Sequence, residues 1–337
     1  MIFAGLGEAG QRQLLAGTVV IIGCGATGTV LANHLARAGV GRLRLVDRDY
    51  VEMNNLQRQM LFDEEDVAAG LPKAVAAERR LRKINGEIAI EGVVADFNPG
   101  NARDLLKDAD LALDGSDNFE TRYLLNDACL ALGLPWVYTG VVATYGMTAT
   151  FVPDGASPRV GREATACLQC LLGEEPPTGG ATCDTAGVLG PIVGMLASIS
   201  ASEAIKLLTG GGEINRGLIH IDLWDNSFEV FEAAGRNPAC AACGRGEYRF
   251  LNAEVGSRSA VLCGRNAVQV SAPHARIDLA AVAGRLAALG AVKYSDHLLR
   301  ALIDGYEITL FPDGRAIIKG TEDPDLGRSI YARYVGI

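Results

Sequence analysis

Three groups of residues carry side chains whose types and spacing can do chemistry. The first is Gly23-Cys24-Gly25-Ala26-Thr27-Gly28, which follows an apolar, β-branched run and precedes a helical pattern over Thr29 to Ala38. Glycines at this spacing let backbone N–H groups and a helix N-terminus meet phosphate oxygens, and Asp47, about twenty residues on, stands where an acid holds ribose hydroxyls. That fingerprint says nucleotide and serves NAD or ATP equally well. The second group is the run Asp47-Arg48-Asp49-Tyr50-Val51-Glu52-Met53-Asn54-Asn55-Leu56-Gln57-Arg58-Gln59, with Leu71-Pro72-Lys73 opening a later helix. A triphosphate calls for several cations where hydride transfer calls for few, and Arg58 with Lys73 supply two. Taken singly, they also fit a solvated loop and a helix-start lysine. In the third group, Asp114-Gly115-Ser116-Asp117-Asn118, an acid at the C-terminal end of a strand beside bound phosphates is a natural Mg²⁺ ligand, with a turn-forming Asp-Asn as the plain alternative.

The eight cysteines divide by context. Cys167-x-x-Cys170 and Cys240-x-x-Cys243, about seventy residues apart, can complete a tetrahedral Zn²⁺ site with no open position, which is structural in character; redox-active pairs are the rival reading. Cys24 reads as a small filler, and Cys129 and Cys263 as core residues of a helix and a strand. Cys183 sits in a glycine-rich stretch just before a long helix, where a helix N-terminus can lower a thiol's pKa and make a nucleophile, although Asp184 opposes a thiolate. Its plain alternative is a small loop residue.

These residues need elements to position them. Strands are expected at 18–23, 43–46, 88–94, 111–113 and 136–139, alternating with helices at 29–38, 73–84 and 121–132. That alternation implies an α/β fold with a doubly wound, mostly parallel, Rossmann-like sheet. Residues 153–185 read as a long crossover loop that the zinc site pins. Val188 to Leu208 is long and apolar, but Pro191, Glu203 and Lys206 make a buried helix the expectation rather than a membrane span. Antiparallel strands follow at 218–224 and 228–231. A small α+β unit then completes the chain, with an apolar run at 260–263, a helix near 279–289, a hairpin over 306–319 and a last helix ending near Tyr334. The expected division is a nucleotide-binding domain at 1–247 and a C-terminal domain at 248–337.

A formal charge of −9 and a pI near 5.1 argue against a nucleic-acid surface. The N-terminus lacks the basic region and apolar core of a secretory signal, so a cytoplasmic, membrane-free protein is expected.

The run Asp-x-Asp-x-Val-x-x-x-Asn-Leu-x-Arg-Gln, the later Pro-Lys and the segment Asp114 to Arg122 together resemble the adenylation signature of the ubiquitin-activating-enzyme-like (ThiF/MoeB) family. The resemblance covers about Ile2 to Gly244 and includes the four-cysteine zinc site. It implies that Asp47 holds the ribose of ATP, that Asn55, Arg58 and Lys73 contact the phosphates, that Asp117 binds Mg²⁺, and that Cys183 matches the conjugating cysteine. The activity implied is adenylation of the C-terminal carboxylate of a ubiquitin-like sulfur-carrier protein, with release of pyrophosphate, in a homodimer that works with a sulfur donor such as a cysteine desulfurase. Thiamine and molybdopterin biosynthesis are the pathways this branch serves. Related chains carry an Arg-Tyr-x-Arg-Gln segment ahead of the position of Ile2, whose second arginine reaches the partner's ATP site; this sequence starts after that point. An NAD-dependent oxidoreductase and a non-catalytic nucleotide-binding scaffold are the competing functions.

Overall fold

The computed structural model describes residues 3–156, 163–177, 186–233, 235–253, 261–262, 266–270 and 277–335. The chain forms two compact units, Met1–Gly256 and Ser257–Ile337.

The first unit is built on β1 (Thr18–Ile22), β2 (Arg42–Asp47), β3 (Ala89–Val94), β4 (Leu111–Asp114), β5 (Trp136–Val142), β6 (Tyr145–Phe151), β7 (Leu218–Asp222) and β8 (Ser227–Phe231), in the spatial order β3-β2-β1-β4-β5-β6-β7-β8. The strands from β3 to β5 pair in parallel, and β6, β7 and β8 extend the sheet antiparallel. In β1, Val19 and Ile21 enter one core and Val20 and Ile22 the other, which is why this strand is apolar without alternation. The first core faces α2 (Ala26–Ala38), α4 (Lys73–Ile84) and α8 (Gly190–Thr209). The second faces α5 (Ala102–Leu105) and α6 (Phe119–Leu132). Helices α1 (Gly7–Ala16) and α3 (Glu64–Ala68) complete the set that precedes β3. Sheet order reverses between β1 and β4, and in such folds the crevice at the strands' C-terminal ends is where ligands bind.

One strand was not anticipated from the sequence, and one expectation needs correction. Strand β6 follows β5 after only two residues, and the span 153–185 is not structureless, because Leu168–Leu172 forms α7 against α6. Helix α8 is the one described helix long and apolar enough to cross a membrane, and half of its most apolar window is buried inside the unit. Two of its polar groups, Ser200 and Glu203, face inward: Ser200 Oγ lies 2.8 Å from the hydroxyls of Thr139 and Thr148, and Glu203 accepts from Thr150 Oγ1 (3.2 Å) and the Asn215 N–H (2.8 Å).

The second unit is a six-stranded antiparallel sheet in the order β11-β12-β13-β14-β10-β9, made from β9 (Val261–Leu262), β10 (Ala267–Val270), β11 (Ala291–Tyr294), β12 (Leu299–Ile303), β13 (Tyr306–Leu310) and β14 (Ala316–Lys319), with α9 (Leu279–Leu286) and α10 (Pro324–Tyr334). The hairpin expected over 306–319 is β13–β14, and its turn uses Gly314 at φ +82°. Residues 248–253, placed in the C-terminal domain by sequence, lie in the first unit, where Phe250 and Leu251 are buried in the second core.

Candidate functional site

The glycine loop is held by close backbone packing. A Cβ on Gly28 would sit 1.9 Å from the Gly23 carbonyl oxygen, and one on Gly115 would sit 2.4 Å from that same oxygen and 2.8 Å from the Gly28 Cα. Gly23 itself is at φ +95°. Three glycines therefore let the start of α2 lie directly against the ends of β1 and β4. Gly25, the N-cap of α2, offers no side chain to the helix, so the first-turn N–H groups remain available to an anion.

Asp47 ends β2 beside this loop. Its Oδ2 accepts the Cys24 N–H at 2.6 Å and its Oδ1 the Asp49 N–H at 2.7 Å, which leaves each oxygen a lone pair for a further donor. Burial raises the Asp47 carboxyl above its ordinary value; Lys73 opposes the rise and Asp49 adds to it. The Lys73 ammonium is correspondingly placed. The residue is 4% exposed, its Nζ is 3.4 Å from Asp49 Oδ2, and its backbone N–H bonds the Asp49 carbonyl at 2.8 Å. The turn Met53–Asn55 follows, with Asn55 buried. Asn55 Oδ1 accepts the Glu52 N–H at 3.2 Å, and Arg58 Nη1 donates to the Asn54 carbonyl at 3.0 Å. The side chain of Gln59, next along, reaches back to the glycine loop.

On the other side of the crevice, Asp114 is fully buried and accepts from Arg122 Nε (2.9 Å) and from the Ser116 N–H (2.8 Å) and Oγ (2.6 Å). Arg122 Nη2 also bonds the Ser116 carbonyl (2.9 Å), and its guanidinium lies over the rings of Phe119 (4.9 Å) and Tyr138 (5.2 Å). Burial works against the charge of Arg122, yet Asp114, Tyr138 and Asp117 together raise its pKa. This pair fixes the loop that presents Asp117, which is exposed, while Asn118 caps α6 by accepting the Thr121 N–H at 2.8 Å. Asp117 acts electrostatically on both Arg122 and Arg48. Burial disfavours the Arg48 charge, but Asp96, at 2.9 Å, together with Asp49 and Asp117 raises its pKa.

The structure thus brings Gly23, Gly25, Gly28, Asp47, Lys73 and Asp117 to the ends of β1, β2 and β4, with Asn55 and Arg58 on the turn that follows β2. Sequence reasoning assigned nothing to Asp49, Arg48, Asp114, Arg122 or Gln59. Their signal was their place inside the motifs already singled out.

The four cysteines meet away from this crevice. The Sγ atoms of Cys167, Cys170, Cys240 and Cys243 all lie within 4.8 Å of one another, with Cys167–Cys170 at 3.8 Å, Cys167–Cys240 at 3.7 Å and Cys170–Cys243 at 3.4 Å. A tetrahedron with Zn–S bonds of about 2.3 Å has edges of about 3.8 Å, so the thiols fit that ion. Hydrogen bonds from Cys167 and Cys243 pull the Cys170 thiol well below its usual value, while hydrogen bonds with Cys170 and Cys243 push the Cys167 thiol up. Helix α6 clamps the two residues inside the first cysteine pair and the segment that follows the second: Asn126 Oδ1 accepts the Leu168 N–H (3.0 Å), and Asp127 accepts Gln169 Nε2 (3.1 Å) and the Phe250 N–H (2.9 Å). Cys24 and Cys129 are buried, as fillers would be. Cys183 and Cys263 lie outside the described residues.

Comparison with known proteins adds an independent finding. The ThiF family profile matches residues 1–242. The sulfur carrier protein ThiS adenylyltransferase of Bacillus subtilis is 45% identical across 99% of this chain and 97% of that protein. The SAMP-activating enzyme E1 of Haloferax volcanii is 40% identical, and the sulfur carrier protein adenylyltransferase of Thermus thermophilus 38%, each across 72% of this chain and 85% and 88% of theirs. Among solved structures, E. coli MccB crystallised with ATP superposes with a TM-score of 0.59 at 26% identity, over 70% of this chain and 69% of that one. A profile spanning nearly all of the first unit and a relative alike from end to end make this chain a member of the ThiF family.

Proposed function

We propose that this chain uses ATP and Mg²⁺ to adenylate the C-terminal carboxylate of a ubiquitin-like sulfur-carrier protein, releasing pyrophosphate ahead of sulfur transfer in thiamine or molybdopterin cofactor biosynthesis. The observation that carries this reading is the buried Lys73 ammonium, tied to Asp49 beside the glycine loop: a fixed cation next to a phosphate cradle suits a triphosphate. The names of the B. subtilis, H. volcanii and T. thermophilus relatives support the same chemistry.

In this reading Gly25, Gly28 and the start of α2 hold phosphate oxygens, Asp47 accepts from the ribose hydroxyls, and Asn55, Arg58 and Lys73 draw charge from the phosphates. Asp117 would hold Mg²⁺, which neutralises phosphate charge when bound. The carrier's carboxylate, already ionised at neutral pH, attacks the α-phosphorus while the bond to pyrophosphate breaks. No general base is needed, so the chain's work is alignment and charge stabilisation. Cys167, Cys170, Cys240 and Cys243 would hold Zn²⁺ as a structural pin, and the Cys183 thiolate would attack either the acyl-adenylate, forming a thioester as AMP leaves, or the outer sulfur of a donor persulfide, taking that sulfur as the donor's thiolate leaves. The chain acts as a cytoplasmic homodimer, with a cysteine desulfurase or similar protein as sulfur donor. ATP–pyrophosphate exchange against a panel of purified carrier proteins tests the reading. Exchange that depends on one carrier is expected, and none with any carrier would overturn it.

A further inference from the structure

Gln59 closes the run that began at Asp47, and its side chain is in an unusual state. The residue is 4% exposed, and its Oε1 is sealed from water with no hydrogen-bond partner among the described residues. A buried carboxamide oxygen left in this way is destabilising, so packing alone gives no reason for glutamine here rather than leucine or methionine. The nitrogen end points elsewhere: Nε2 lies 4.0 Å from the place a Cβ on Gly25 would occupy, and the Gly115 carbonyl lies 3.7 Å from that same place. Gly25 is the N-cap of the 13-residue α2 and has no side-chain cap of its own. The turn after β2 therefore sends an N–H₂ group into the crevice between the β1 and β4 ends, next to helix N–H groups that favour an anion.

We propose that Gln59 is a further nucleotide-binding residue, donating from Nε2 to a phosphate oxygen of ATP held over Gly25. The proposal rests on the adenylation reading above. It assigns the glutamine a task distinct from that of Arg58 and Lys73: it brings a directed donor without adding charge, which fixes the orientation of the phosphate rather than its charge balance.

The test compares Gln59→Leu and Gln59→Glu with the wild type in binding of Mg·ATP and of adenosine, together with melting of the free protein. Leucine removes the donor at similar volume, so the dissociation constant for Mg·ATP should rise about 10-fold, the scale of a hydrogen bond to a charged group. Adenosine affinity should hold, and melting should stay level or rise because the orphaned oxygen is gone. Glutamate places a carboxylate against the phosphates in nearly the same shape, so the loss should be larger, and this variant carries the comparison if leucine does not fold. Unchanged Mg·ATP binding in the folded variants would overturn the proposal, as would a parallel loss of adenosine binding. In either case a wild type that binds ATP and exchanges pyrophosphate leaves the adenylation reading standing. A wild type that binds no ATP would overturn both.

Discussion

Asp127 offers a stability test whose size and sign can be worked out. Its carboxylate lies inside the first unit, accepting Gln169 Nε2 on one oxygen and the Phe250 and Leu251 N–H groups (2.9 and 3.4 Å) on the other. Burial pushes its pKa up to about 6 from 3.8, although the two backbone donors pull the other way. The folded chain therefore binds this proton more tightly than the unfolded chain. The stability gained is fully present below about pH 4 and is lost as pH rises through about 6, with a size of about 3 kcal/mol at about 1.4 kcal/mol per pKa unit. Asp127→Asn removes the titration while keeping an acceptor for Phe250 and Leu251, and the new N–H₂ can donate to Gln169 once that carboxamide turns over. Both tryptophans, Trp136 and Trp224, belong to the first unit, so tryptophan fluorescence in urea reads its unfolding. The stability difference, variant minus wild type, should grow by about 3 kcal/mol between pH 4 and pH 8. Because both proteins carry the same cysteines, metal release at low pH cancels in that difference. A difference that stays flat with pH, or a variant several kcal/mol less stable at pH 8, would refute the burial argument.

Four further outcomes are expected. Asp117→Ala should abolish pyrophosphate exchange with little change in melting, because the residue is exposed and the Asp114–Arg122 pair holds its loop; Lys73→Ala should instead lose exchange and some stability, though less than the roughly 3–5 kcal/mol that an uncompensated buried charge costs, because Arg48 still acts on Asp49, and Asp49→Asn should restore the stability alone. Metal analysis should find about one Zn²⁺ per chain, and Cys167→Ser should lose it along with several degrees of melting temperature; folded, active, metal-free protein would contradict this. Cys183→Ala should keep exchange yet form no carrier adduct that reductant releases, and mass spectrometry of the wild type after incubation with ATP, carrier and sulfur donor decides whether Cys183 carries one.

The elements that frame the crevice were legible because their patterns are local. Strand β1 is a continuous apolar run, and α2 begins at glycine and ends at Gly39. Strand β6 was not legible, since Tyr145-Gly-Met-Thr-Ala-Thr-Phe has threonines at Thr148 and Thr150 where an apolar signal is sought. Those threonines are buried by hydrogen bonds to Ser200 and Glu203, more than fifty residues away. The same limit governs the site. Asp47, Arg58, Lys73 and Asp117 stand out by spacing, whereas the pairing of Asp49 with Lys73 and of Asp114 with Arg122 exists only once strands and helices are packed. Gln59 lay within the motif in plain view; its meaning depends on Gly25, which the fold brings to it.

Helix α6 links what the sequence shows as two separate motifs. Its N-terminus is capped by Asn118, next to Asp117, and its first turn carries Arg122, which holds the Asp117 loop through Asp114 and Ser116. One turn on, at the i+4 position from Arg122, Asn126 accepts the Leu168 N–H, and Asp127 takes Gln169 and Phe250. Both cysteine pairs are thereby anchored to the helix that supports the loop, within about 14 Å of Asn118 at 1.5 Å per residue. Among the described residues, the four-cysteine cluster packs with Leu130 of α6 and Ala242, and its hold on α6 restrains the helix at whose start the Asp117 loop sits. In the adenylation reading proposed above, Zn²⁺ held by the four thiols would act on the Asp117 loop through the stiffness of this helix.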